Sequence, residues 1–258
     1  MAGLLRRILY STGSVFSWDY RSYLSTRAKS QKWVYLGRGG TPWISQPTRN
    51  PKKWVQEGVV CESSASSMVA LTFDDGPTPG VTEKILDILK QYQAHATFFL
   101  IGRKVHAGTD LMKRALEEGH RLGNHTFHHH WVPSLTTLEM LDQVRMTQDS
   151  ITTISGKPSR WFRPPYGALR LEQEKYVVGD GLQIAYWSVN SKDWQRKGHR
   201  TIASKVRREL HPGAVVVMHD VHKQTVEALP LILDDIARRG WRSVTLSEMF
   251  PRPQHNTP

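Results

Sequence analysis

From about residue 54 onward, short β-branched or aromatic runs alternate with stretches of helical periodicity, and this alternation constrains the fold more than any other feature of the chain. The runs 68–73 (MVALTF) and 96–101 (ATFFLI) read as buried strands of an α/β unit. Between them Val81, Ile85, Ile88, Leu89 and Tyr92 recur at helical spacing. A second helix ends near Glu118 with Gly119 as its stop, and a strand through Leu122 leads into a segment rich in histidine. Thr136, with Glu139 three residues later, forms a capping box that opens a helix marked by Leu138, Leu141, Val144, Ile151 and Ile154; Gly156 and Pro158 close it. Residues 161–163, 183–189, 214–218 and 241–245 complete about seven strands. Ile202, Val206 and Leu210 mark one intervening helix, and Val226, Leu229, Leu233 and Ile236 mark the last, ended by Arg238, Arg239 and Gly240. Seven strand-helix steps predict a barrel-like sheet ringed by helices, and in such folds polar groups that do chemistry gather where strands end.

A chain of 258 residues suits one catalytic-sized unit plus an appendage. The charge supports that division. The net charge is +12, yet ten Lys and Arg against the single acid Asp19 place +9 of it in residues 1–53. That segment also interleaves Trp18, Tyr20, Tyr23, Trp33, Tyr35 and Trp43, so part of it is expected to pack on the main domain. We read residues 1–53 as a basic, irregular segment, 54–250 as the main domain and 251–258 as a tail. The basic segment suits contact with an anionic surface or simple solvation, and no nucleic-acid partner is expected. Arg6 and Arg7 interrupt its apolar start, so no secretory signal is visible; its Arg- and Ser-rich, acid-poor character resembles an organelle transit peptide. No run of about 18 apolar residues suggests a membrane span. The single cysteine, Cys61, has no partner for an internal disulfide.

Four polar segments follow strand candidates and would share one rim: TFDDG (72–76), NHTFHH (124–129), FRPPYG (162–167) and VVMHD (216–220). Each alone has a structural explanation as a turn, a rigid loop or a core histidine. Together they supply every group that a metal-assisted hydrolysis needs. His125 and His129 with one carboxylate, Asp75, make a His2Asp set that leaves a coordination position open on a zinc-like ion. Such an ion acidifies water and polarises a carbonyl oxygen. Asp74 is then free to take a proton, and His219 is the rim histidine suited to protonate a leaving group. Asp193 is placed to orient His219, Arg163 to hold Asp74 by charge-assisted hydrogen bonds, and the Tyr166 backbone N–H to serve as an oxyanion donor. His128, His130 and His222 are read as solvent-facing or hydrogen-bonded.

In this order and at these separations, TFDDGP, H-T-x-x-H, FRPPYG, WSVNSKDW and the aliphatic run ending in MHD resemble the five motifs of the NodB-like polysaccharide deacetylases, carbohydrate esterase family 4. The likeness covers roughly residues 54–250. It implies a distorted (β/α) barrel of about seven strands and metal-dependent removal of acetyl groups from N-acetylated glycans, chitin or peptidoglycan. It further implies Asp74 as base, His219 as acid, and Asp75, His125 and His129 as ligands of one divalent ion, zinc first, with cobalt or manganese as substitutes. Arg163 would tune the base and Asp193 the acid, while Trp194 and Val217 would line the acetyl-methyl pocket. The chain departs from the family at Val217, often leucine there, and at Asn190, where many members carry an acid. Acetylxylan O-deacetylation shares the same carbonyl chemistry and stands as a sibling reading. A glycan-binding protein without catalysis, on the same scaffold, is the reading from another class.

Overall fold

The computed structural model describes residues 67–251, Ser63 and three two-residue strands, β1 (Tyr35–Leu36), β2 (Pro42–Trp43) and β3 (Val59–Val60). β1 and β2 pair antiparallel. Apart from those two strands, the basic segment 1–53 lies outside the described residues, as do Cys61 and the tail after Pro251.

The remaining strands are β4 (Met68–Asp74), β5 (Ala96–Leu100), β6 (Arg121–Asn124), β7 (Trp161–Phe162), β8 (Gln183–Ala185), β9 (Val189–Asn190), β10 (Val215–His219) and β11 (Arg242–Ser243). They form a curled half-barrel in the order β3-β8-β7-β6-β5-β4-β10-β9, with β11 beside β4 and every pairing parallel. The architecture is that of a distorted (β/α) barrel.

The period of two along a strand decides which residues enter the barrel. In β4, Val69, Leu71 and Phe73 join the cluster under the helices, whereas Ala70 joins the interior cluster. The same parity sends Thr72 and Asp74 inward. In β10, Val216 and Met218 pack under helices and Val215 packs inside, so Val217 and His219 point inward as well. Trp161 lies in the interior cluster and Phe162 in an outer one, which turns the next residue, Arg163, inward. Parallel register then levels the ends: His219 pairs with Asp74, Asp74 with Phe99, and Asn124 with both Leu100 and Phe162.

Helices cover the outer faces as the periodicity predicts. Thr82–Gln91 buries Ile85, Leu86 and Leu89. Thr137–Ser155 opens with the predicted Thr136–Glu139 capping box and ends at Gly156, whose φ of 71° is the left-handed conformation glycine adopts without strain. The short helix Leu246–Met249 plugs the barrel, placing Val244, Leu246, Met249 and Phe250 against Trp161 and Phe99.

Two expectations need correction. The run 183–189 is not one strand: β8 ends at Ala185 and β9 begins at Val189, and the two sit toward opposite ends of the sheet. Tyr186, Trp187 and Ser188 cross the gap, so covalent chain bridges it. Strand 241–245 contracts to Arg242–Ser243, because Thr245 caps the plug helix through its side chain. A helix at Leu171–Gly179, not anticipated, buries Gln173 and Glu174 beside Val177.

Candidate metal centre and catalytic cleft

Asp75 follows β4 in a left-handed conformation, φ 76°, which turns its carboxylate away from the direction of Asp74. The Lys104 ammonium donates to the Asp75 carbonyl at 2.8 Å, and the Ile101 N–H donates to the Gly76 carbonyl at 3.0 Å, fixing that turn. Gly76 must lack a side chain, since a Cβ there would lie 2.0 Å from the Asp220 carboxylate. Burial raises the Asp220 carboxyl to about 7, and Thr82 donates to it at 2.7 Å.

The histidine segment is not helical. His125 comes directly off β6, and left-handed turns at Thr126 and His129, φ 65° and 63°, fold the chain back. Asn124 Oδ1 accepts from the Thr126 N–H, and Thr126 Oγ1 from the His129 N–H. The result sets the two imidazoles 5.0 Å apart by ring centre.

Asp75, His125 and His129 converge with ligand atoms all within 4.8 Å of one another. Asp75 Oδ1 is 3.0 Å from His129 Nε2 and 3.5 Å from His125 Nε2, yet it is buried without a hydrogen bond of acceptable geometry. Close approach without hydrogen-bond direction is what lone pairs aimed at a shared cation produce. His125 Nδ1 lies 2.7 Å from the Arg163 carbonyl, an acceptor, so that nitrogen carries the proton and Nε2 keeps its lone pair. The donor set therefore fits one divalent ion. Burial opposes ionisation of Asp75, but the flanking imidazoles outweigh it and hold the carboxyl well below the usual carboxylate range.

Asp74, almost fully buried, offers its two oxygens to different neighbours. Oδ1 accepts from Arg163 Nη1 at 2.7 Å, while Oδ2 lies 3.9 Å from His125 Nε2. Arg163 is fully buried and satisfied on every side: Thr72 Oγ1 and the carbonyls of Ala185 and Tyr186 accept from it, and the Phe99 ring lies 4.1 Å from its guanidinium carbon. Burial lowers the guanidinium's affinity for its proton, while the Asp74 charge supports it.

On the other side, His219 Nδ1 lies 2.7 Å from Asp193 Oδ1. Asp193 is saturated, accepting also from the His219 N–H, Thr225 Oγ1 and the Trp194 N–H. Burial works against charge on His219, but Asp193 outweighs it and lifts the imidazole to about 9. The same contacts hold the Asp193 carboxyl below its ordinary value against the opposing effect of burial.

A cleft of about 480 Å³ joins these halves, lined by Asp74, Asp75, His125, His129 and His219 together with Tyr166, Trp187, Asn190, Trp194 and Val217. The predicted residues thus meet in one place, with Arg163 and Asp193 behind the wall. Tyr166 has φ 60° and is 63% exposed, and Trp194 is 54% exposed, so both present ring surface at the rim. His128 contacts Gln143 and stays outside the ligand cluster. Trp131, Trp187, Lys104, Thr225 and Asp220 also serve the site, and no local sequence pattern assigns them a role. Trp131 is exposed and packs on Tyr166 at 5.6 Å, extending the aromatic rim.

The model of the polysaccharide deacetylase family matches residues 62–185. The chain is 36% identical over 191 residues to the peptidoglycan-N-acetylglucosamine deacetylase PgdA of Listeria monocytogenes, covering 74% of this chain and 40% of that protein. To a peptidoglycan-N-acetylglucosamine deacetylase of Bacillus cereus it is 33% identical over 257 residues, 96% of this chain and 92% of that one. The structure of the peptidoglycan deacetylase PdaC from Bacillus subtilis matches with a TM-score of 0.68 at 35% identity, over 71% of this chain and 90% of that chain. The chain therefore spans about two fifths of the length of the Listeria relative and nearly all of the Bacillus cereus one.

Proposed function

The chain belongs to the polysaccharide deacetylase family, and from that premise we propose that it hydrolyses the N-acetyl groups of N-acetylglucosamine-type glycans, peptidoglycan foremost, to free amine and acetate. The observation that carries this reading is the convergence of Asp75, His125 and His129 beside Asp74, with His219 lining the same cleft. We take the ion to be zinc, which two imidazoles and one carboxylate suit. When bound, it supplies Lewis acidity toward the amide carbonyl and toward water.

The side chains divide the proton work. Asp74, its Oδ1 tied to Arg163, has Oδ2 left to take a proton from the attacking water. The water oxygen bonds to the carbonyl carbon, and the carbonyl oxygen takes up the charge near the Tyr166 backbone N–H. His219, protonated at neutral pH and with Nδ1 occupied by Asp193, gives its Nε2 proton to the amide nitrogen as the C–N bond breaks. Acetate and a free amine leave. Val217 and Trp194, both lining the cleft, suit a small methyl group, and the rings of Tyr166 and Trp131 suit the face of a sugar.

Mass spectrometry of defined N-acetylglucosamine oligomers, peptidoglycan fragments and acetylated xylan, after incubation with zinc-loaded protein, tests the reading. Stepwise loss of acetyl from the first two is expected. Release from xylan alone would replace the amide reading with ester hydrolysis, and release from none would leave glycan binding without catalysis.

A further inference from the structure

A second cavity, about 580 Å³, is lined by Lys192, Lys197, Arg200, Lys205 and Arg208, with no carboxylate among its lining residues. Lys205 and Arg208 share Glu209, at 2.6 and 3.7 Å. Among the described residues, Lys192, Lys197 and Arg200 have no acidic partner within ion-pair distance, and all three are exposed. The helix His199–Glu209 forms one wall; it starts at Gly198 without a side-chain cap and has no acid in its first turn, so its dipole adds to the positive potential. Concave, one-signed walls concentrate a field that a flat charged surface disperses.

The groove and the cleft share one turn. Asn190 and Trp194 line the cleft, whereas Ser191, Lys192 and Gln195 line the groove. A cleft of about 480 Å³ is of the size that encloses a single small ligand, so a polymeric substrate must run past its rim. On the side of residues 190–195 it meets five cations. We infer that this groove is a subsite for carboxylate groups carried by an acidic glycan strand whose acetamido group occupies the cleft, an inference that rests on the glycan reading above.

The test uses acidic peptidoglycan fragments and the same fragments with their carboxylates amidated, acting on the zinc-loaded protein and on Lys192→Gln/Lys197→Gln/Arg200→Gln. Wild type should show a KM roughly tenfold lower for the carboxylate form, as three exposed pairs of modest strength would give, and added salt should erase the difference. In the triple variant the preference should collapse toward unity, whereas Lys84→Gln/Lys113→Gln/Lys157→Gln, equally neutralising but elsewhere, should keep it. Equal KM values for the two forms in wild type, or a preference that survives the triple substitution, would overturn the proposal. Direct calorimetry of fragment binding to Asp74→Asn separates the two readings. Carboxylate-dependent binding lost on groove neutralisation supports the groove even where no acetate is released, and absence of any carboxylate dependence refutes it.

Discussion

Arg163 Nη1 lies 2.7 Å from Asp74 Oδ1 inside the barrel, with the two side chains 0% and 4% exposed. A guanidinium so placed aligns the carboxylate, and it also makes the pair a point where structure and chemistry fail together.

Asp74→Asn should retain the three metal ligands and lose the proton acceptor. Turnover is expected to fall by roughly 10²- to 10⁴-fold, with metal content unchanged by elemental analysis. Because the substitution removes the charge opposite a buried Arg163, thermal unfolding should also show a loss of about 3 kcal/mol.

His125→Ala should abolish stoichiometric metal binding, measured by equilibrium dialysis, since Asp75 and His129 alone leave two ligands. In the wild-type protein, a chelator should remove acetate release and added zinc should restore it. Full activity after chelation would sink the assignment.

Asp193→Asn should move the basic limb of the pH–rate profile to lower pH. With Asp193 the His219 imidazole is raised to about 9, so its acid form is present at neutral pH and lost as pH rises through that value. Without the carboxylate, burial prevails and the proton leaves earlier. A bound divalent ion lowers the value in both proteins, so the readout is the displacement between the profiles. The same sign governs stability: the raised imidazole contributes below its ordinary pKa, and the contribution fades as pH passes upward through about 9.

Gly167→Ala should destabilise the cleft wall. Its φ of 66° is left-handed, and an added Cβ would stand 2.8 Å from Trp187 Cη2. A penalty of about 2 kcal/mol corresponds to a melting temperature lower by about 4–8 °C. KM should rise as Trp187 is displaced from the cleft.

Much of this arrangement can be read in the residues themselves. Asp74, Arg163, Val217 and His219 enter the barrel because their strand neighbours Phe73, Phe162 and Met218 are apolar and pack outward, a parity visible in the chain. The Thr136–Glu139 box and Gly156 mark a helix through local chemistry alone. Where periodicity misleads, tertiary contacts have replaced it. Leu171–Gly179 buries polar Gln173, whose amide donates to the Val132 and Leu135 carbonyls, so no apolar stripe announces a helix. The run 183–189 looks continuous because Tyr186 and Trp187 are aromatic, yet the Tyr186 carbonyl serves Arg163 and Trp187 lines the cleft. Thr225 and Lys104 act through partners distant in the chain, Asp193 and the Asp75 carbonyl, and a lone threonine or lysine carries no signal of that.

The gap between β8 and β9 has a mechanical meaning. Within nine residues, 185–193, one uninterrupted stretch of chain offers two backbone carbonyls to Arg163 and then the side-chain carboxylate that grips His219. The proton acceptor and the proton donor are thereby tethered to a common strut. A displacement that moved one would drag the other, so a nick or insertion at 186–188 should uncouple both ends of the reaction at a single stroke.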